Sequence, residues 1–272
     1  MRRTKSIIIS VATYALAAVF AAPVLWVAVA SLSTNSQLAR TPIPLGLNFL
    51  NYVSAWIDAQ IGVFVFNSLL VSLSTTLIMT VLATMAAYAV SRTQLRFRRV
   101  FLVILTVGLV APIFTYVVWL LDAISTAGLL NNRLALILVS SIVFIAVPLL
   151  LLIGFFRELP GELMDAARVD GASEWAVFWR IAVPLARPAI VTSLIFGFVW
   201  TWNDLFLPAV FLQDPTLYTI PQGIISLRSN AYTADYVRTF AAAMISTVPM
   251  ILLYRELARR AGSAITGGAL KG

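Results

Sequence analysis

The chain has 272 residues, 61% of them hydrophobic and only 11% charged, with a mean hydropathy of +0.95. An ordinary globular protein carries about 25% charged residues, so this chain cannot cover itself with polar side chains; soluble and disordered classes are excluded and a bilayer is its solvent. It has no Cys, no His and a net charge of +8, which removes disulfides, thiolate nucleophiles, Cys-ligated metals and the commonest general base and metal ligand.

Windows of about 20 apolar residues, rising 1.5 Å each, cross a hydrocarbon core of about 30 Å. Six occur, at residues 7–31, 63–90, 100–121, 134–156, 189–212 and 239–254, the last one short and interrupted by Pro249. Helices satisfy their own backbone in lipid, and the dyad alternation of a barrel is absent. The expected fold is therefore an all-α polytopic membrane protein with six transmembrane helices, forming one transmembrane domain over 1–272. At the N-terminus, Arg2, Arg3 and Lys5 precede an apolar run containing Ala21-Ala22-Pro23, as in a secretory signal. The run continues through Val29, past the usual 7–15 residues of a signal core, which makes it an uncleaved first span.

Charge placement orients the spans. With the N-terminus inside, fifteen of the nineteen Lys and Arg fall on one side, and only Arg40, Arg133, Arg228 and Arg238 on the other. That asymmetry places both termini in the cytoplasm and requires an even number of spans. Residues 32–62, with Pro42, Pro44, Asn48, Asn51 and Tyr52, then lie outside, as do residues 213–237. Both are candidate docking surfaces for an external protein, or plain connecting loops.

In the second span Asn67, Ser68, Ser72, Ser74, Thr75 and Thr76 are either interhelical glue or a polar lining. In the fifth span Trp202, Asn203 and Asp204 stand together, with Trp200 just before them. A charge within a span costs roughly 2.5–3.5 kcal/mol on insertion scales, so it faces a cavity or a partner. Carboxylate, amide and indole together suit a hydroxyl-rich solute; a structural hydrogen bond, with the tryptophans as an interfacial belt, is the other reading.

The cytoplasmic loop at 157–188 is distinctive. Pro160 suits the first turn of a helix, Glu162 and Asp165 sit near its positive end, Asp170-Gly171 signals a turn, and Ser173 can cap a second helix running toward Pro184. Two short helices joined by a sharp bend are expected. Ala166, Ala167, Gly171 and Ala172 leave room for close approach by another surface; alternatively the loop lies at the headgroup layer with Trp175, Phe178, Trp179 and Ile181 in lipid.

The stretch DAARVDGASEWAVFWRIAVPLARP, Asp165 to Pro188, resembles the cytoplasmic coupling loop of ABC importer permeases, with Asp165 where that family usually has Glu. Asn67-Ser68, Ala86-Ala87-Tyr88-Ala89, Arg92, Phe97, the Trp202-to-Pro208 segment, Tyr218-Thr219-Ile220-Pro221 and the tail from Ile265 to Gly272 resemble the maltose-type, carbohydrate-uptake subfamily. The resemblance implies a permease subunit that hydrolyses no ATP itself. It implies a second permease chain, two ATP-binding subunits carrying ATP and Mg, and an external solute-binding protein as partners. Asp165, Ala166, Ala167, Asp170, Gly171, Ala172, Phe178 and Pro184 then become candidate ATPase-coupling residues, and Asn67, Ser68, Trp202, Asn203 and Asp204 candidate pathway residues. No Walker-type GxxxxGK[ST] cradle occurs, so no cofactor or metal is expected on this chain, and nucleic acid is not an expected partner. A permease for another polar solute such as a glycerol phosphate, a stand-alone secondary transporter, and an intramembrane enzyme are the competing readings. The second of these would favour intramembrane acid pairs or inverted repeats, which the sequence lacks. The third would need a Ser-Lys or paired-Asp site within the spans.

Overall fold

The computed structural model describes residues 2–92, 96–227 and 235–269, with side chains at 9–92, 96–227 and 235–256. Residues 270–272, the side chains of the rest of the tail from residue 265, and the side chains of Arg2, Arg3, Lys5, Arg228, Arg259 and Arg260 lie outside these. Among the described residues every regular element is helical: α1 (Arg2–Ser31), α2 (Asn35–Arg40), α3 (Leu50–Ile57), α4 (Ile61–Arg92), α5 (Arg98–Val110), α6 (Val117–Thr126), α7 (Arg133–Val143), α8 (Ala146–Glu158), α9 (Gly161–Val169), α10 (Glu174–Val177), α11 (Val183–Leu185), α12 (Arg187–Asn203), α13 (Phe206–Phe211), α14 (Ile220–Ser226) and α15 (Tyr236–Ala269), with short 3-10 turns at Ile113–Thr115 and Pro215–Leu217 and a π turn at Phe178–Ala182.

Three of the six expected spans are single helices. Stretches Ile9–Ser31, Ile61–Arg92 and Tyr236–Glu256 are long and apolar enough to cross a membrane, and Pro23 and Pro249 are carried inside α1 and α15 without a break. The other three are interrupted within their length, a detail beyond the sequence expectation. The third divides into α5 and α6 around Ala111, whose extended ψ of 123° is the conformation a following proline, Pro112, imposes. The fourth bends by 47° between α7 and α8. The fifth stops at Asn203 and resumes at Phe206. Pro148 and Pro208 lie early in α8 and α13. A proline ring clashes with the carbonyl four residues before it and offers no N–H to that carbonyl, and four residues before these prolines are Phe144 and Asp204, where the two helices end.

The helices gather into a unit of residues 1–65 with 222–272, and a unit of residues 66–221. In the first, α15 packs along α1 and α3, and the Trp26 and Phe240 rings meet edge to face at 5.5 Å. In the second, one apolar cluster joins Ala87 and Tyr88 of α4 to Phe156 of α8, Met164 of α9 and Phe178. Another joins Val71 to Leu136, Leu207 and Phe211. Hydroxyls line the approach of α4 to α12: Thr76 lies 3.4 Å from Thr201 and Thr80 3.3 Å from Ser193. Gly197 of α12 sits against Met79 and Thr76 of α4, where a Cβ would overlap them. Small residues and hydroxyls of this kind are what lets helices pack closely in lipid.

Candidate functional site

The loop at 157–188 is a helical hairpin, α9 and α10, with Asp170-Gly171 at its bend. Gly171 has φ +83°, a left-handed conformation that glycine adopts without a Cβ penalty. Ser173 caps α10 by accepting the Ala176 amide, as expected. The second helix does not run evenly to Pro184; it loosens into the π turn before α11, and the path then bends by 75° into α12.

The hairpin has a buried root and an exposed tip. Met164, Val177 and Phe178 are buried in the cluster with Tyr88 and Phe156, and Ala167 and Ala172 pack at its edge. Asp165, Ala166, Asp170 and Gly171 are exposed, and Pro184 is half-buried in α11. The eight residues singled out in the sequence therefore split: Phe178 anchors, while the Asp165 to Gly171 face is presented outward.

A polar brace crosses the bend, which sequence reasoning missed. Arg168 donates from Nη1 to Asp165 and from Nε to Glu174 Oε1, both at 2.6 Å, and Tyr88 of α4 donates to Glu174 Oε2 at 3.1 Å. The hydrogen bond from Arg168 holds the Glu174 carboxyl below the usual carboxylate range, and Glu174 holds the guanidinium more firmly protonated. At the other end of the loop Arg92 of α4 donates to the Leu159 carbonyl, and Ser91 reaches the Ile153 carbonyl at 3.3 Å. The Leu159 carbonyl stands just past the end of α8, where no further helical amide can reach it, and the Ile153 carbonyl lies within the helix. The last turn of α4 thus holds both ends of the hairpin.

Asn67 and Ser68 are fully buried, and their side chains are engaged within the protein. Asn67 Nδ2 donates to the Thr216 and Tyr218 carbonyls, both at 2.9 Å, and Ser68 Oγ accepts the Ile220 amide at 2.7 Å. They tie the Tyr218-Thr219-Ile220 segment to α4.

Trp202, Asn203 and Asp204 diverge. Trp202 is buried and stacked on Phe198 at 5.5 Å. Asn203 is exposed and donates to the Val199 carbonyl of its own helix at 2.7 Å. Asp204 Oδ1 accepts the Phe206 amide at 2.9 Å, capping the first turn of α13. Asp204 also lines a cavity of about 370 Å³, with Gly108, Ala111, Tyr116, Phe144 and Trp200. Residues of all three helix breaks meet there. Trp200 shares the cavity because positions four apart lie on one helix face, whereas 202 and 203 do not; it carries the indole that the sequence reading assigned to Trp202.

A sequence model of the family described as binding-protein-dependent transport system inner membrane component matches residues 79–262. The chain belongs to this family of permeases. The permease is 32% identical over 252 residues to the diacetylchitobiose uptake system permease protein NgcG of Streptomyces coelicolor, covering 92% of this chain and 83% of that one. It is 32% identical to the trehalose transport system permease protein SugB of Mycobacterium tuberculosis, covering 92% of each. Its fold matches, with a TM-score of 0.78 over 94% of this chain and 96% of the other at 23% identity, a solved bacterial ABC transporter involved in the import of the acidic polysaccharide alginate. The permease is accordingly a multi-pass inner membrane protein that works with other components of a transport system. Membership decides against the stand-alone transporter and the intramembrane enzyme.

Proposed function

We propose that this permease is one transmembrane subunit of an ATP-binding-cassette sugar importer. It forms half of the translocation pathway and pairs with a second, different permease chain, two cytoplasmic ATP-binding subunits that hold ATP and Mg, and an external solute-binding protein. Likeness over 92% of the chain to permeases named for diacetylchitobiose and trehalose supports a glycan-derived solute. Both termini are cytoplasmic, by the placement of fifteen of nineteen Lys and Arg. Under that orientation the candidate docking surfaces for the binding protein are within 32–62 and 213–237.

The observation that carries the coupling role is the hairpin, exposed at its tip and rigidly rooted. A lever must pass a displacement without absorbing it, so a braced helix pair serves where a flexible loop would not. Asp165, Ala166, Asp170 and Gly171 present the face that an ATPase groove would receive. Ala167, Ala172, Phe178 and Pro184 carry its movement into α11 and α12. ATP binding closes the ATPases, the hairpins move together, and the passage changes the side to which it opens; hydrolysis resets it. The Asp204 cavity is the polar station on that passage. Its carboxylate has lone pairs left for hydroxyl donors, and Trp200 and Tyr116 supply rings for sugar faces. Asn67, Ser68, Trp202 and Asn203 frame the pathway from behind and do not line this cavity.

The test is co-expression with the neighbouring transport components, purification, and ATP-driven uptake of radiolabelled oligosaccharides into proteoliposomes. Co-elution with an ATPase and uptake that stops without ATP are expected. Uphill uptake by the purified chain alone would overturn the proposal.

A further inference from the structure

The segment at 41–57 contains no charged residue and is amphipathic in the reverse of the usual sense. The polar groups of α3 point into the protein. Asn51 Nδ2 donates to the Ser31 and Ser33 carbonyls, both at 2.8 Å, and Tyr52 Oη and Ser31 Oγ lie 2.7 Å apart. The Asn48 amide donates to the Leu32 carbonyl at 2.8 Å, and its side chain donates to Asn51 Oδ1 at 3.1 Å. The opposite face is apolar and open: Leu47 is 82%, Leu50 72% and Val53 51% exposed, with Phe49, Trp56 and Ile57 exposed beside them. Leu50, Val53 and Ile57 form one stripe at helical spacing.

A water-facing helix would show the inverse arrangement, and an apolar patch of this kind calls for permanent cover. A binding protein that docks and leaves would uncover it in every cycle. A lasting protein partner would need polar groups to set its register, and this face offers a single side-chain donor, the Trp56 indole N–H, because Asn51 and Tyr52 of α3 are turned inward. Lipid requires neither. The segment is also joined to membrane-crossing helices: α1 ends at Ser31, α4 begins at Ile61, four residues after α3 ends, and Trp26 of α1 donates to the Pro42 carbonyl at 2.7 Å. Aromatic residues at 49, 52 and 56 suit the headgroup level, where amphipathic rings collect.

We infer that residues 43–57, centred on α3, lie half-immersed in the outer leaflet as an interfacial lipid-binding element, with Leu47, Leu50, Val53 and Ile57 among acyl chains. The inference does not depend on the transported solute or on the coupling role.

The absence of cysteine permits a direct test. Leu50→Cys, Val53→Cys and Ile57→Cys are made singly in the full chain, and Ser36→Cys in exposed α2 serves as the water-facing control. Each variant, assembled with its partner subunits and reconstituted into lipid nanodiscs, is labelled with an environment-sensitive fluorophore. Quenching by spin-labelled lipid at least threefold stronger than at residue 36, with weaker quenching by aqueous iodide, is expected at all three positions. Iodide quenching equal to that at residue 36 would overturn the inference in favour of a water-exposed face. Lipid quenching that emerges only after the partner subunits are removed would overturn it in favour of a protein-covered one.

Discussion

At Gly171 the backbone and the surroundings make separate demands. Its φ is +83°, yet nothing lies within 4 Å of where a Cβ would stand. An alanine therefore pays only the left-handed penalty, about 1–2 kcal/mol, whereas a tryptophan adds bulk on the exposed tip. Gly171→Ala is expected to retain most uptake with a modestly lower melting temperature, and Gly171→Trp to abolish uptake while inserting normally; equal uptake by both would count against a docked tip. Asp204 separates in a similar way. Asn accepts hydrogen bonds at a helix start as well as Asp does, so Asp204→Asn keeps the cap and removes the charge, while Asp204→Ala loses both and about 1 kcal/mol. If the cavity carries solute, uptake per assembled complex falls in both variants, and a melting curve shows the stability loss in alanine alone. Asn67→Ala removes the amide that donates to the Thr216 and Tyr218 carbonyls, each bond worth about 0.5–1.5 kcal/mol; a lower melting temperature with undiminished uptake per folded complex is the expected signature of a structural role.

At the scale of elements the hairpin brace makes a pH prediction. Glu174 titrates lower when folded than when unfolded, because Arg168 favours its charged form. Its contribution is fully present above the unfolded carboxylate value of about 4.3 and is lost as pH falls through the lower folded value. The carboxylate is exposed enough that the effect is small, within the 0–1 kcal/mol of surface pairs. Protection factors of the α9 and α10 amides, each referred to the intrinsic exchange rate at its own pH, are expected to be steady from pH 8 to pH 5 and to fall below pH 4; Glu174→Gln should remove that acid step, and Tyr88→Phe should leave it in place. The hairpin was legible in the sequence because its signals are local: Ser173 as cap, Gly171 as bend. The brace was not, since Tyr88 and Glu174 are 86 positions apart and meet only when α4 and α10 pack. The broken spans were half legible. Pro112, Pro148 and Pro208 were visible, but so were Pro23 and Pro249, which break nothing. Hydropathy averages over a window and does not register where a chain turns within it.

For the whole molecule the topology rests on charge. A cysteine placed at Gly171 should react with an impermeant reagent only from the cytoplasmic side, and one placed at exposed Gln213 only from outside. Labelling of both from the same side in intact cells would break the orientation. Mixed labelling at one position would show two orientations, against the expectation from an asymmetry of fifteen to four.

The sequence by itself determined the solvent of this protein, its helical class, the number and order of its apolar segments, the charge asymmetry on which the proposed orientation rests, and the hairpin that leads to its family. Each of these follows from composition or from residues near one another in the chain, where propensity and partitioning act without reference to the fold. The tertiary structure alone decided which polar residues are consumed in holding helices together, as Asn67 and Ser68 are, and which reach a cavity, as Asp204 does. It also decided that Trp200 rather than Trp202 shares that cavity, and that the polar face of α3 turns inward. Those outcomes depend on the rotation of each helix about its axis and on contacts between residues from 18 to 152 positions apart. Burial is a property of the assembled neighbourhood, and no window of sequence contains it.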